Sequence, residues 1–174
     1  MMNFKGWLLE NEQYLIYCDL DGVLVDLETG VTKISGPLEQ IPGKSHRRML
    51  MQQVVKLTRK GISEAEFWAE LPWTIGGQQL WDYISRHNAM ILTGGTGSSG
   101  ASQGKIAWCQ KNLGIPPNRI IVTKASDKAK WATPNSILID DWDENINAWN
   151  QAGGIGIIHT NSLTTIQQLK KLGL

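Results

Sequence analysis

Two carboxylates, Asp19 and Asp21, stand on either side of Leu20 and are followed by Gly22-Val23, directly after the apolar run Leu15-Ile16-Tyr17-Cys18. A carboxylate at the end of a strand is held by a rigid sheet yet presented to a ligand. It can act as a nucleophile towards phosphorus, provided that its own charge and the substrate's are offset. A magnesium ion supplies that offset and keeps several of its waters, so one or two protein carboxylates suffice to hold it. Asp21 is then placed to protonate the leaving oxygen and later to activate water. Gly22 permits the turn that the chain must make there and lets the backbone come close to a ligand.

A second source of carboxylates is Asp140-Asp141, again at the end of an apolar run, Ile137-Leu138-Ile139. Acids gathered at one edge repel one another unless a cation sits among them, which is the physical argument for a metal beside Asp19 and Asp140. Thr93, followed by Gly94-Gly95 and a further glycine- and serine-rich stretch to Gly100, offers a hydroxyl and backbone N–H groups to phosphate oxygens. A lysine is needed to offset the charge of aspartate and phosphate together. Lys124, Lys128 and Lys130 all precede the Asp140 run, and the residues alone leave the choice open.

These groups need a scaffold that brings distant positions to one edge. Five apolar runs read as buried strands: 15–18, 89–92, 119–122, 136–139 and 154–158. Continuous rather than alternating apolar character suits strands covered on both faces. Helical patterns follow at 78–87, 103–113, 144–152 and 162–172, the third capped by Asp141 or Asp143 and the fourth by Asn161. The alternation predicts an α/β fold, a three-layer Rossmann-like parallel sheet whose ligands bind at the carboxyl ends of the strands, where Asp19, Thr93 and Asp140 fall. The gap between the first two runs is too long for a simple crossover. It predicts a small helical cap over residues 30–72, with helices at 45–60 and 63–70, inserted into a core of 1–29 and 73–174. Residues 40–63 hold Lys44, Arg47, Arg48, Lys56, Arg59 and Lys60 and no acid, a basic stretch that reads as a solvated helix face or as a funnel for an anionic substrate.

Composition narrows the class further. A chain of 174 residues with net charge +1 is one domain with a core of its own, and neither a nucleic-acid sleeve nor an acidic tail. Cys18 and Cys109 match no ligand spacing and read as buried, reduced thiols. No apolar stretch approaches the roughly 20 residues that span a bilayer, and the N-terminal residues lack the pattern of a signal peptide. The expectation is a soluble, cytoplasmic protein without a membrane partner. Most of the eight tryptophans, and Phe67 beside Trp68, are expected in packing.

Asp-x-Asp-Gly-Val after a strand, then Thr-Gly, then a lysine, then Ile-Asp-Asp resembles the four-motif signature of the haloacid dehalogenase-like (HAD) phosphohydrolases, in order over residues 15–141. The resemblance implies an aspartyl-phosphate on Asp19, acid/base chemistry at Asp21, a phosphate contact from Thr93, and a motif lysine at Lys130, ten residues before Asp140. It also implies Mg2+ held by Asp19, Asp21 (through its backbone carbonyl) and Asp140. Within the superfamily, residues 21–26, Glu66-Phe67-Trp68 and Leu138-Ile139-Asp140-Asp141 are most similar to the type C 5'-nucleotidases, or 5'(3')-deoxyribonucleotidases. That likeness implies a nucleotide as the small phosphorylated substrate, bound by Gly94, Gly95, Phe67 and Trp68. Leu27, Gly94 and Trp142 depart from that branch, standing where it has a phenylalanine, a serine and an arginine. Two other functions compete: hydrolysis of phosphate at nucleic-acid ends, which the basic stretch favours, and a non-enzymatic phosphate- or metal-binding module. The order of the motifs, with the threonine second and the paired acids last, argues against a phosphorylatable receiver module.

Overall fold

Leu15–Cys18, Met90–Gly94, Ile120–Thr123, Ser136–Asp140 and Ile155–Ile158 form the strands β1 to β5 in the computed structural model, which describes residues 14–38, 45–95 and 97–174. They make one parallel sheet in the order β3-β2-β1-β4-β5. The expected strands are all present, within a residue or two at their ends. Successive side chains of a strand point to opposite faces, and the core divides accordingly. Ile16, Cys18, Ile91, Ile137, Ile139 and Ile157 join the larger apolar cluster, while Tyr17, Leu92 and Leu138 join a smaller one with Ile146 and Trp149. Both faces are therefore covered by helices, which is why the runs read as continuously apolar.

Seven α-helices surround the sheet among the described residues: α1 Leu27–Ser35, α2 His46–Arg59, α3 Glu64–Ala69, α4 Gly77–Ile84, α5 Ser99–Leu113, α6 Asp143–Gln151 and α7 Ser162–Lys171. Helices α2 and α3 lie inside the expected spans, with Ser45 and Ser63 as the capping residues whose hydroxyls accept from Arg48 N and Glu66 N. Asn161 caps α7 as expected, accepting from Thr164 N at 2.9 Å. Helix α6 differs: neither Asp141 nor Asp143 caps it. Trp142 holds the N-cap position, and its N–H donates instead to Asp140 Oδ1 at 2.9 Å. The carboxylate expected to cap is thereby left free for the site.

Helix α1 was not expected, because Thr29, Gly30, Val31 and Thr32 are poor helix formers. Asp26 compensates by taking both Thr29 N and Thr29 Oγ1, at 2.9 and 2.7 Å, and Leu27 and Val31 are buried. The segment carrying α1 to α3 begins and ends beside one point, and its buried residues Leu27, Val31, Leu50, Val54, Phe67 and Trp68 join the larger apolar cluster of the sheet. Val25 bridges Trp73, and Asp26 N donates to Pro72 O at 2.9 Å. Helix α3 then packs across α5 at Gly104, where a Cβ would lie 2.4 Å from Ala65 O and 2.6 Å from Trp68 Cβ. Trp108 of α5 donates to Leu71 O at 2.8 Å and ties down the return.

Strand β1 lies between β2 and β4, so the connections run outward from it in both directions. Such a reversal leaves a crevice at the carboxyl ends of the strands. Register pairs Cys18 with Ile91 on one side and with Ile139 on the other. Thr93 and Asp140 are therefore carried to the same edge as Asp19.

Candidate active site

Asp19 follows β1 and is 1% exposed, its N–H bonded to Ile139 O at 2.8 Å. Asp140 ends β4 and is wholly buried. Between the two carboxylates sits Lys128, 1% exposed, with Nζ 2.9 Å from Asp19 Oδ1 and 2.6 Å from Asp140 Oδ2. Asn145 of α6 donates to the same Asp140 oxygen at 2.9 Å. One carboxylate oxygen each from Asp19, Asp140 and Asp141 lies within 4.8 Å of the others. Asp141 reaches in because Gly22 makes room for it. A Cβ on Gly22 would lie 2.2 Å from Asp141 Oδ2, and Gly22 holds φ +81°, which favours glycine.

Burial presses the Asp19 carboxyl upward, but Lys128, with Lys105 and Arg47 beyond it, outweighs that pressure and holds Asp19 below the usual carboxylate value. Asp140 goes the other way. Burial and then the charge of Asp19 raise it to about 6, against Lys128 and the Trp142 N–H. Asp141 is raised to about 7, by the protein packed around its carboxyl and by the same Asp19 charge, with Arg47 opposing. Lys128 stays an ammonium, because its two carboxylates outweigh the effect of its burial.

Three carboxylates thus face two cations, Lys128 between Asp19 and Asp140 and Arg47 beside Asp141, and Asp19 Oδ2 is buried without a hydrogen-bond partner. Carboxylate oxygens in excess of positive charge are the donor set that a hard divalent cation takes. The residues present fit such an ion. The third carboxylate of the cluster is that of Asp141, while the Asp21 side chain pairs with Lys105; Asp21 was expected to contribute its backbone carbonyl.

Asp21 Oδ2 is ion-paired with Lys105 of α5, a lysine 1% exposed that also donates to Gly94 O at 2.6 Å and to Thr93 Oγ1 at 3.3 Å. Its ammonium lies 4.5 Å from the centroid of the Trp68 ring. The sequence reading missed Lys105. The signal was present: Ala101, Gly104, Lys105, Trp108 and Cys109 all lie on the buried face of α5, so a lysine falls on the helix's inward side. Asp21 Oδ1 is left buried and without a hydrogen-bond partner.

The lysine that lies between the carboxylates is Lys128, not the expected Lys130. Lys130 is on the surface, its side chain 73% exposed and paired with Asp127 at 2.9 Å. Residues Ala125–Trp131 form a 3-10 helix, in which about three residues make a turn, so Lys128 and Lys130 face different ways. The aromatic pair divides as well. Trp68 borders the cavity that opens beside Asp21, Gly94 and Gly95, whereas Phe67 lines another cavity with Gly30, Leu71 and Pro72. Gly95 is at the edge as expected, but its N–H donates to Thr123 O at 2.6 Å and is spent within the protein. Of the basic stretch, Lys44 lies outside the described residues. Arg47 stacks 4.4 Å from the centroid of a Trp142 ring and lies 3.6 Å from Asp141 Oδ1. No helix among the described residues is long and apolar enough to cross a membrane.

No protein-family model and no curated protein sequence matches the chain. Solved structures match it along most of its length. A predicted phosphatase from Clostridium acetobutylicum superposes with a TM-score of 0.55 at 15% identity, over 92% of this chain and 91% of that one. A HAD-superfamily hydrolase from Ehrlichia chaffeensis gives 0.54 at 14% identity, over 93% and 98%. A hydrolase from Streptococcus pneumoniae TIGR4 gives 0.51 at 14%, over 91% and 99%. The parallel sheet with its carboxylate edge thus has the fold seen in HAD-superfamily hydrolases, as the order of the four motifs implied.

Proposed function

We propose that this chain is a Mg2+-dependent phosphomonoester hydrolase that works through an aspartyl-phosphate on Asp19, with a small phosphorylated molecule, a nucleotide in the first instance, as substrate. One observation carries the reading: a buried Asp19 carboxylate kept ionised by Lys128 at a strand end, with the unpartnered Oδ1 of Asp21 on the same turn. Asp19, Asp140 and Asp141 would hold the ion, which when bound offsets the negative charge of carboxylate and phosphate.

Asp19 attacks phosphorus and the bond to the leaving oxygen breaks, that oxygen taking a proton from Asp21. Water then attacks the same phosphorus, Asp21 accepts its proton, and the acyl-phosphate bond breaks to return Asp19 and release inorganic phosphate. Lys105 holds one Asp21 oxygen and so turns the other towards the leaving group. Thr93, beside Lys105, and Lys128, beside Asp19, would meet phosphate oxygens and spread their charge. Trp68 and Trp142 both line the cavity beside Asp21 and are the aromatic groups on which a nucleobase would pack.

The test is phosphate release from a panel of esters that includes deoxynucleoside 5'- and 3'-monophosphates, with magnesium and with chelator. Release that needs the ion and disappears in Asp19→Asn is the expected result. Turnover that survives Asp19→Asn would remove the aspartyl-phosphate from the mechanism.

A further inference from the structure

We infer that Arg47 is a positioning residue of the ion site: it holds Asp141 in the ion's stead, gives it up when the ion binds, and thereby joins the two cavities that it separates. This rests on the divalent-ion part of the hydrolase reading and deepens it.

The two cations that face the three carboxylates are held very differently. Lys128 is a fixture, its side chain 2% exposed and its Nζ 2.9 Å from Asp19 and 2.6 Å from Asp140. Arg47 lies 3.6 Å from Asp141 Oδ1, too far for a hydrogen bond, and the two side chains are 34% and 31% exposed. Water replaces a contact of this kind at little cost. A divalent ion brings twice the charge of a guanidinium to the same carboxylate and repels the guanidinium as well. Arg47 is therefore the cation that gives way. Asp141 stays at the edge without it, because its other oxygen, Oδ2, lies over Gly22.

The second contact of Arg47 says what its movement would do. Its guanidinium lies 4.4 Å from the centroid of a Trp142 ring, so this arginine of α2 reaches across to the residue that follows the paired acids. A cavity of 460 Å³ opens on one side, lined by Trp68, Gly94 and Trp142 among others. One of 300 Å³ opens on the other, lined by Leu27, Thr74 and Asp141 among others. Among the described residues, Asp21 and Arg47 alone line both. Asp21 is tied to buried Lys105, which leaves Arg47 as the movable part of the partition. Once Arg47 leaves Asp141, a leaving group beside Asp21 has both spaces open to it. The ion is thus expected to bind before the substrate.

The experiment titrates magnesium alone into the substrate-free chain, followed by calorimetry and by tryptophan emission. A pH of 8.5 keeps the Asp141 carboxyl, raised to about 7, ionised. In the wild type the ion should change the emission as the guanidinium leaves the Trp142 ring, and Trp142→Phe should lack that change. Arg47→Met should bind magnesium at least tenfold more tightly and show no emission change. Arg47→Lys, which keeps the charge without the planar fork, should fall between. Arg48→Met removes a neighbouring exposed charge that has no carboxylate partner among the described residues, and should shift the affinity less than twofold. Equal affinity in wild type and Arg47→Met would overturn the inference and leave the hydrolase standing. So would equal tightening by Arg48→Met, or an emission change that survives in Arg47→Met. Magnesium binding to none of these proteins would remove the ion from the hydrolase reading and the inference with it. The expected binding pattern in a chain that releases phosphate from no ester would sink the hydrolase and keep the role of Arg47.

Discussion

Replacing Lys128 by methionine keeps the volume and apolar stem of the side chain and removes its charge. The ammonium bridges Asp19 and Asp140, both at most 1% exposed, at 2.9 and 2.6 Å. Deleting one partner of a buried ionic cluster leaves uncompensated charge and costs about 3–5 kcal/mol. That is a large share of the roughly 5–15 kcal/mol that stabilises a domain. In chelator at pH 8, the urea midpoint of Lys128→Met should therefore fall sharply. The loss should shrink at pH 5, where a carboxyl can protonate instead, and magnesium should restore part of it. With the ion present, phosphate release should still fall by about 10²–10³, the usual cost of removing one group that stabilises transition-state charge. The companion is Lys130→Met, with a 73% exposed side chain and a surface partner. It should stay within about 0.5 kcal/mol of wild type, as exposed substitutions do, and should keep its activity. Loss of activity in Lys130→Met with retention in Lys128→Met would refute the placement of the motif lysine.

Two further results are expected. The Asp140 carboxyl rises from 3.8 to about 6 on folding, so between those values the folded chain holds a proton that the unfolded chain has lost. Raising the pH through this window in chelator should cost about 3 kcal/mol of stability at about 1.36 kcal/mol per unit. Asp141 extends the fall towards neutrality, and magnesium should stabilise more at pH 8 than at pH 5, a trend that urea unfolding with and without the ion would check. Gly104→Ala should destabilise by about 1–3 kcal/mol despite alanine's better helix propensity, because the new methyl meets the backbone oxygen of Ala65 rather than a movable side chain. A variant as stable as wild type in thermal unfolding would mean that α3 does not pack so closely on α5.

The sequence by itself determined the strands and the acids at their ends. Those are local properties: a run such as Leu15-Ile16-Tyr17-Cys18 has to be buried, and the charged residue that follows has to leave the core. The neighbourhood of Asp19, Thr93 and Asp140 also follows from short-range information, because parallel crossovers put all the carboxyl ends at one edge. Helix α1 was hidden by its composition, since the capping by Asp26 and the burial of Leu27 and Val31 outweigh poor propensity. The finer assignments needed the third dimension. Lys128 and Lys130 differ by two residues in the chain, and only the pitch of a 3-10 turn decides which one faces the carboxylates. Lys105 lies 84 residues from Asp21 and meets it because Gly104 lets α5 approach α3 closely while its inward face turns to the strand ends. Asp141 joins the cluster through the space that Gly22 leaves, and the Gly95 amide is taken by Thr123. Each of these is a matter of which way a group points, and that is settled by packing between elements rather than by residue type or spacing.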